Sequence, residues 1–224
     1  MWRRKGSLQK LRGILPGTHV RVWGQALINE HIIRERRAES MHPWLHFKTI
    51  TRHRHLVMRH CFAVGLYRRG LMHDLSKYSP AEFWPGAKYY QGNCSPTTME
   101  RQVNGYSLAW MHHKGRNRHH FEYWVDVNPV SHRYEPLEMP TVFFVEMCMD
   151  RIAASKVYLG EQYNDGAPLA YLQRAGDNRW MHPNTRRKLL FILTMLRDRG
   201  EEETFRFIRE VVLKGLPFAE KETE

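Results

Sequence analysis

The doublet His73-Asp74 sets an imidazole nitrogen beside a carboxylate oxygen, and Lys77 follows three residues later. The first two side chains are ligands for one divalent metal. A lysine next to them can hold an anion against that metal as a point charge. A dipeptide alone carries little weight, so the question is whether the chain offers further ligands. Two other stretches do. Trp110 to His120 reads WMHHKGRNRHH, with His112, His113, His119 and His120 in two adjacent pairs. On an unbroken helix a separation of seven would stack the pairs two turns apart. Gly115 is expected to break that helix, so the pairs meet across a tight turn. The last stretch, VEMCMDRIAAS, puts Asp150 on an apolar helix. A carboxylate buried there must be paired, hydrogen-bonded or metal-bound. Glu146, one turn earlier, shares its face and is a candidate second ligand or base.

Each group has a plainer reading: hydrogen-bonded packing imidazoles, and an Asp150 salt-bridged to Arg151. Two histidine doublets plus a His-Asp doublet in one small domain favour metal binding over that reading.

The elements that must position these residues read as helices. Ser79-Pro80-Ala81-Glu82 is a helix start, with Ser79 as cap, Pro80 in the first turn and Glu82 completing a capping box. The doublet therefore ends one helix just before another begins. Upstream, Lys48 to Tyr67 is helical, with Leu56, Met58, Cys61, Phe62, Val64 and Leu66 on a broad apolar face. Pro85-Gly86 is expected to cut the helix that starts at Pro80. Ser95-Pro96 opens a helix running to about His113 and stopped by Lys114-Gly115. Asp126 to Pro136 reads as loop. Pro140 starts a helix striped by Val142, Val145, Met149, Ile152, Ala153 and Val157. Pro183 opens another, with Leu189, Leu190, Ile192, Leu193 and Leu196, ended by Gly200. A last helix carries Phe205, Phe207, Ile208, Val211, Val212 and Leu213. The fold class is all-α, a compact helical bundle with an N-terminal arm. Residues 1–46 form a basic arm, 47–215 the metal-binding domain and 216–224 a C-terminal tail.

Composition narrows the partners. The chain carries 35 Lys+Arg against 23 Asp+Glu, a formal net charge of +12, which favours anionic ligands. The head around Trp2, Arg3, Arg4, Lys5, Lys10 and Arg12 could touch nucleic acid or simply be solvated. Cys61, Cys94 and Cys148 form neither a paired framework nor a CxxC, which points to a reducing compartment and away from a cysteine zinc site. No apolar run is long enough to span a bilayer. The N-terminus lacks the apolar centre of a secretory signal, and the expected location is cytoplasmic.

A His, then His-Asp, then more His, then an Asp on a later helix resembles the HD superfamily of metal-dependent phosphohydrolases. The resemblance implies an all-α fold, one or more divalent metals and hydrolysis of a phosphoester such as a nucleotide. It makes His73 and Asp74 the name-giving doublet and Asp150 the terminal ligand. HDLSK is similar to the signature of the multi-metal branch, which implies a substrate-phosphate role for Lys77. His112 or His113 and the His119-His120 pair would supply the further imidazoles. For the upstream histidine, His55 is the first choice and His53 and His60 the alternatives. The chain looks closer still to uncharacterised bacterial and phage proteins sharing HDLSK-(F/Y)-SP-x-EF, HH…N-x-HH…YW and a later Met-Pro helix. Here these are His73 to Phe83, His112 to Trp124 and Met139-Pro140 onward, a likeness over roughly residues 50 to 195. The GYP portion of cyclic-dinucleotide phosphodiesterases is missing, so that substrate is not implied.

The implied centre holds one or two ions (Mn, Fe, Mg, Zn or Ni) on His55, His73, Asp74, His112, His113, His119, His120 and Asp150. Asp74 and Lys77 carry catalysis on an anionic small molecule. Lys114, Arg116 and Asn117 help to bind it, with Arg118 neutralising charge and Tyr123 or Trp124 stacking a base. Two other readings stand beside it: a di-iron HD-type oxygenase, and a non-enzymatic, metal-stabilised nucleic-acid-binding protein.

Overall fold

Histidine and aliphatic side chains alternate along the first helix at a spacing that puts them on one stripe. In α1 (Pro43–Ala63) the buried residues are His46, Ile50, His53, Val57, His60 and Cys61. Steps of three and four make one face of an α-helix. That helix belongs to a computed structural model that describes residues 41–175 and 179–219. The basic head and the helix expected over Val20–Arg37 lie outside the described residues.

After α1 the chain runs through α2 (Tyr67–Met72) and a 3-10 turn (Leu75–Tyr78) into α3 (Pro80–Lys88). It continues through α4 (Pro96–Asn104), α5 (Leu108–Arg116), a 3-10 turn (Phe121–Tyr123) and the strands β1 (Val125–Val127) and β2 (Tyr134–Pro136). Then come α6 (Thr141–Leu159), α7 (Ala167–Arg174), and α8 (Pro183–Phe207), which passes into a π-helical turn (Ile208–Val212). The architecture is helical. The segment read as loop contains a small antiparallel hairpin, with Asp126 opposite Glu135.

The core is organised around α6. Phe144, Val145, Met147, Cys148, Met149, Ile152 and Ala153 are all buried, so this helix is enclosed on nearly every side. It meets Val57, Cys61 and Val64 from α1 and its C-cap, Leu169 and Leu172 from α7, and Leu189, Ile192, Leu193 and Leu196 from α8. Burial of a large aliphatic side chain contributes about 1.5–3 kcal/mol, and this cluster gives α6 the rigidity that its carboxylates need. Cys61 and Cys148 sit inside the cluster as free thiols, and burial pushes both up to about 12. Near the end of the described residues, Phe218 lies against Phe191 and Phe207.

Three local expectations are corrected. Pro85-Gly86 does not cut α3, which continues to Lys88. Gly86 is there for contact: a Cβ at that position would collide with the His46 ring. The helix from Ser95-Pro96 stops at Gly105 (φ 81°), and a second one restarts behind Ser107, whose hydroxyl accepts from the Trp110 amide at 3.0 Å. Gly115 does not break that second helix, which ends at Arg116. Gly200 (φ 76°) interrupts α8 as expected, since its backbone leaves the helical region.

His46 gives the fold a pH dependence. Its ring is buried against Phe83, 5.4 Å between centroids, and Nδ1 has no hydrogen-bond partner. Burial, reinforced by the nearby Lys77 charge, lowers it from 6.5 to about 4. Above pH 6.5 the ring is neutral whether the chain is folded or unfolded. Between 6.5 and 4 only the unfolded chain takes up the proton, so stability falls as pH falls, by roughly 3 kcal/mol over the window. Denaturant unfolding of metal-free wild type and His46→Asn from pH 7 to pH 4 should show a shallower slope in the variant. Superimposable slopes would contradict the assignment.

Candidate metal centre

The doublet sits where the backbone turns sharply. His73 caps α2 at φ −55°, ψ 127°, and Asp74 follows at φ 53°, in the left-handed region. Aspartate tolerates that region better than most residues, at a cost of order 1 kcal/mol. Through this turn two sequence neighbours face one point: His73 Nε2 lies 3.3 Å from Asp74 Oδ2.

The two oxygens of Asp74 look toward different partners. Oδ2 faces the His73 and His53 imidazoles, the latter at 3.9 Å. Oδ1 faces His113 Nε2 at 3.3 Å and His119 Nε2 at 3.4 Å. Asp150 closes the first group, with Oδ1 2.9 Å from His53 Nε2 and 3.6 Å from His73 Nε2. His120 joins the second. The outcome is two donor sets sharing one carboxylate: His53, His73, Asp74 and Asp150, and Asp74, His113, His119 and His120.

These distances are compatible with donors gathered around a cation. Metal–ligand bonds of about 2.0–2.2 Å place neighbouring donors roughly 3–3.5 Å apart. Nε2 of His73, His119 and His120 and Oδ1 of Asp74 are buried without a hydrogen-bond partner. Orphaned buried polar atoms are rare because each costs about 1–3 kcal/mol. Four of them gathered in one cluster of imidazoles and carboxylates can be satisfied by a metal ion, and the cluster could hold one.

Carboxylates outside the donor sets fix the rings. Glu146 Oε1 lies 3.0 Å from His73 Nδ1 and 3.4 Å from His119 Nδ1. Glu82 reaches both His112 Nδ1 and His113 Nδ1 at 2.7 Å. The capping box is thereby overturned: Glu82 is spent on the histidines, and the Ser79 hydroxyl makes no capping bond. Asn117 steadies His113 further, donating to the Ser76 hydroxyl at 2.8 Å and to the His113 carbonyl at 2.8 Å.

Burial would push the Asp74 carboxyl up, but His73, Lys77 and His113 overcome it and hold it well below the usual range. Asp150 is held down against burial in the same way by His53 and His73. His73 runs opposite: burial would lower it, but Asp74, Asp150 and Glu146 hold it well above. His120 is pushed well down by burial and by the neighbouring His119 and His113. Its neutral ring is the form that ligates metals. Lys77 stands at the rim with its side chain 30% exposed and Nζ 2.6 Å from Asp74 Oδ2.

The sequence candidates divide accordingly. The structure brings together His73, Asp74, His113, His119, His120 and Asp150, with Lys77 beside them. His55 is exposed and lies outside both sets, and His53 takes its place. Two residues along a helix turn about 200°, so only one of the two can face inward. His60 lies deeper, 3.5 Å from the Met149 carbonyl and edge-on to Phe205. His112 is outside the sets and bound to Glu82. Arg116 is exposed and donates to the His112 carbonyl at 3.4 Å, and Lys114 lies within electrostatic reach of Glu122. Arg118 and Trp124 are occupied elsewhere: the guanidinium lies over the Tyr123 ring, 5.7 Å from its centroid, and the indole donates to the Arg118 carbonyl at 2.7 Å and packs on Phe143.

The charged residue on α2 that the sequence does not single out is Arg69. His53, one of the alternatives for the upstream histidine, stands between Ile50 and Val57 on the apolar stripe. Arg69, which grips Glu146 at 2.6 Å, had no signal among so many arginines.

Among the described residues no helix is long and apolar enough to cross a membrane. No curated protein and no solved structure matches the chain. One family model does, and it spans residues 42–195, from the start of α1 to the middle of α8, taking in every donor residue described above. The chain therefore belongs to the Family of unknown function (DUF5662).

Proposed function

We propose that the chain is a metal-dependent hydrolase of phosphoesters, working with two divalent cations held around Asp74. The observation that carries this reading is the placement of one Asp74 oxygen toward each donor set. The order His53, His73-Asp74, Asp150 also follows that of the HD superfamily. Ions held there would lower the pKa of a bound water and polarise a phosphoryl oxygen.

The chain's own residues supply the rest. Lys77, at the rim, is placed to neutralise an incoming anionic oxygen. Glu146 and Glu82 keep His73, His119 and His113 turned toward the centre. The substrate class is a small anionic phosphoester, a nucleotide among the candidates. A second reading, a di-iron oxygenase, has one observation in its favour: imidazoles dominate the second set, and they suit iron as well.

Metal-free protein given Mn2+ should turn over members of a panel of nucleotides and aryl phosphates. Turnover should stop with EDTA and return with added metal. Purified protein that carries iron, consumes dioxygen and leaves every phosphoester intact would replace the hydrolase reading with the oxidative one.

A further inference from the structure

We propose that Glu146 is a shared positioning residue, one buried carboxylate that fixes a histidine of each donor set so that the two cation sites load as a unit. The proposal rests on the reading that both sets bind cations.

Glu146 is 0% exposed, on the enclosed helix α6. Its Oε1 meets His73 Nδ1 at 3.0 Å and His119 Nδ1 at 3.4 Å. His73 belongs to the first set and His119 to the second. Their rings sit 4.5 Å apart between centroids. A carboxylate only accepts, so both Nδ1 atoms must donate to it. In the neutral, metal-ligating form that leaves the lone pair of each ring on Nε2, the atom facing Asp74. One oxygen thus sets the tautomer and the ring orientation on both sides of the bridge.

The other oxygen, Oε2, is held by Arg69 through Nε and a terminal nitrogen, each at 2.6 Å. The guanidinium in turn lies over the Phe143 ring, 4.7 Å from its centroid. Arg69 also decides what Glu146 is not. His73, His119 and Glu146 could by spacing alone surround an ion. A guanidinium already gripping that carboxylate repels a second cation there, so Glu146 orients ligands and is not one. Glu82 provides the contrast. It reaches His112 and His113, and of these only His113 is in a donor set.

Calorimetric titration of the metal-free full chain with Mn2+ alone, and separately with Zn2+, reads the difference. Wild type should take up two equivalents. Glu146→Gln, an isosteric change, should weaken both by about 10–100-fold, the usual effect of losing a ligand-orienting partner. Glu82→Gln should weaken one and spare the other. Arg69→Met should weaken both by less than Glu146→Gln, and it carries the test if circular dichroism shows that Glu146→Gln fails to fold. A Glu146→Gln protein that loses affinity at one site only, at neither, or by dropping a third equivalent overturns the proposal. Wild type that binds neither metal overturns the two-cation reading beneath it.

Discussion

Replacing Asp74 by Asn should reduce metal uptake from two equivalents to at most one and abolish metal-dependent turnover. The amide keeps the size of the side chain and its tolerance of φ 53°, so the turn after α2 survives. It offers one carbonyl oxygen where the carboxylate offers two, and that oxygen can face His53 and His73 or His113 and His119, but not both. The uncharged group also gives up its attraction for Lys77, 2.6 Å away. Elemental analysis after dialysis, with far-ultraviolet circular dichroism as the folding control, checks the result. Two equivalents retained by a folded Asp74→Asn protein would show that the carboxylate does not bridge.

The second large effect separates two histidines on one helix. His53→Ala should weaken metal binding in the first set by at least the roughly 10–100-fold that lost orienting partners cost, because it removes a donor itself. His55→Ala should change neither metal content nor stability beyond about 0.5 kcal/mol, as for other exposed positions. Parallel titrations with Mn2+ decide between them, and equal behaviour of the two variants would refute the assignment of His53.

The contrast shows where sequence reasoning succeeds and stops. Helices signalled by proline starts and apolar stripes, such as α6 behind Pro140 and α8 behind Pro183, are legible because periodicity and capping are local. The interruption at Gly200 is legible for the same reason. His73, Asp74 and Asp150 announce themselves because a carboxylate amid apolar residues demands an explanation. Glu82 defeats local reading. Its spacing from Ser79 satisfies a capping box, yet a distant pair of imidazoles competes for its oxygens and wins. The break at Gly105 is not legible, because a cap-plus-proline start says where a helix begins and not where it ends. His53 and His55 stay open in the sequence because an apolar face wide enough to include Met58 and the exposed Phe62 accommodates either. The narrower stripe of Ile50, Val57 and Cys61 selects His53. Arg69 is legible only in three dimensions, since nothing local marks one arginine as the partner of a glutamate on another helix.

The grouping of Asp74, Glu82, Glu146 and Asp150 around the imidazoles has a consequence for charge neutrality. Four carboxylates face two cationic side chains, Arg69 and Lys77. With the rings neutral, as metal ligation requires, one divalent ion balances that excess and a second leaves the centre positive. A surplus positive charge in a water-poor interior is costly, and hydroxide together with an anionic group from outside would relieve it. The fully loaded centre is therefore built to want an anion, and occupancy of the second position should rise when inorganic phosphate is present.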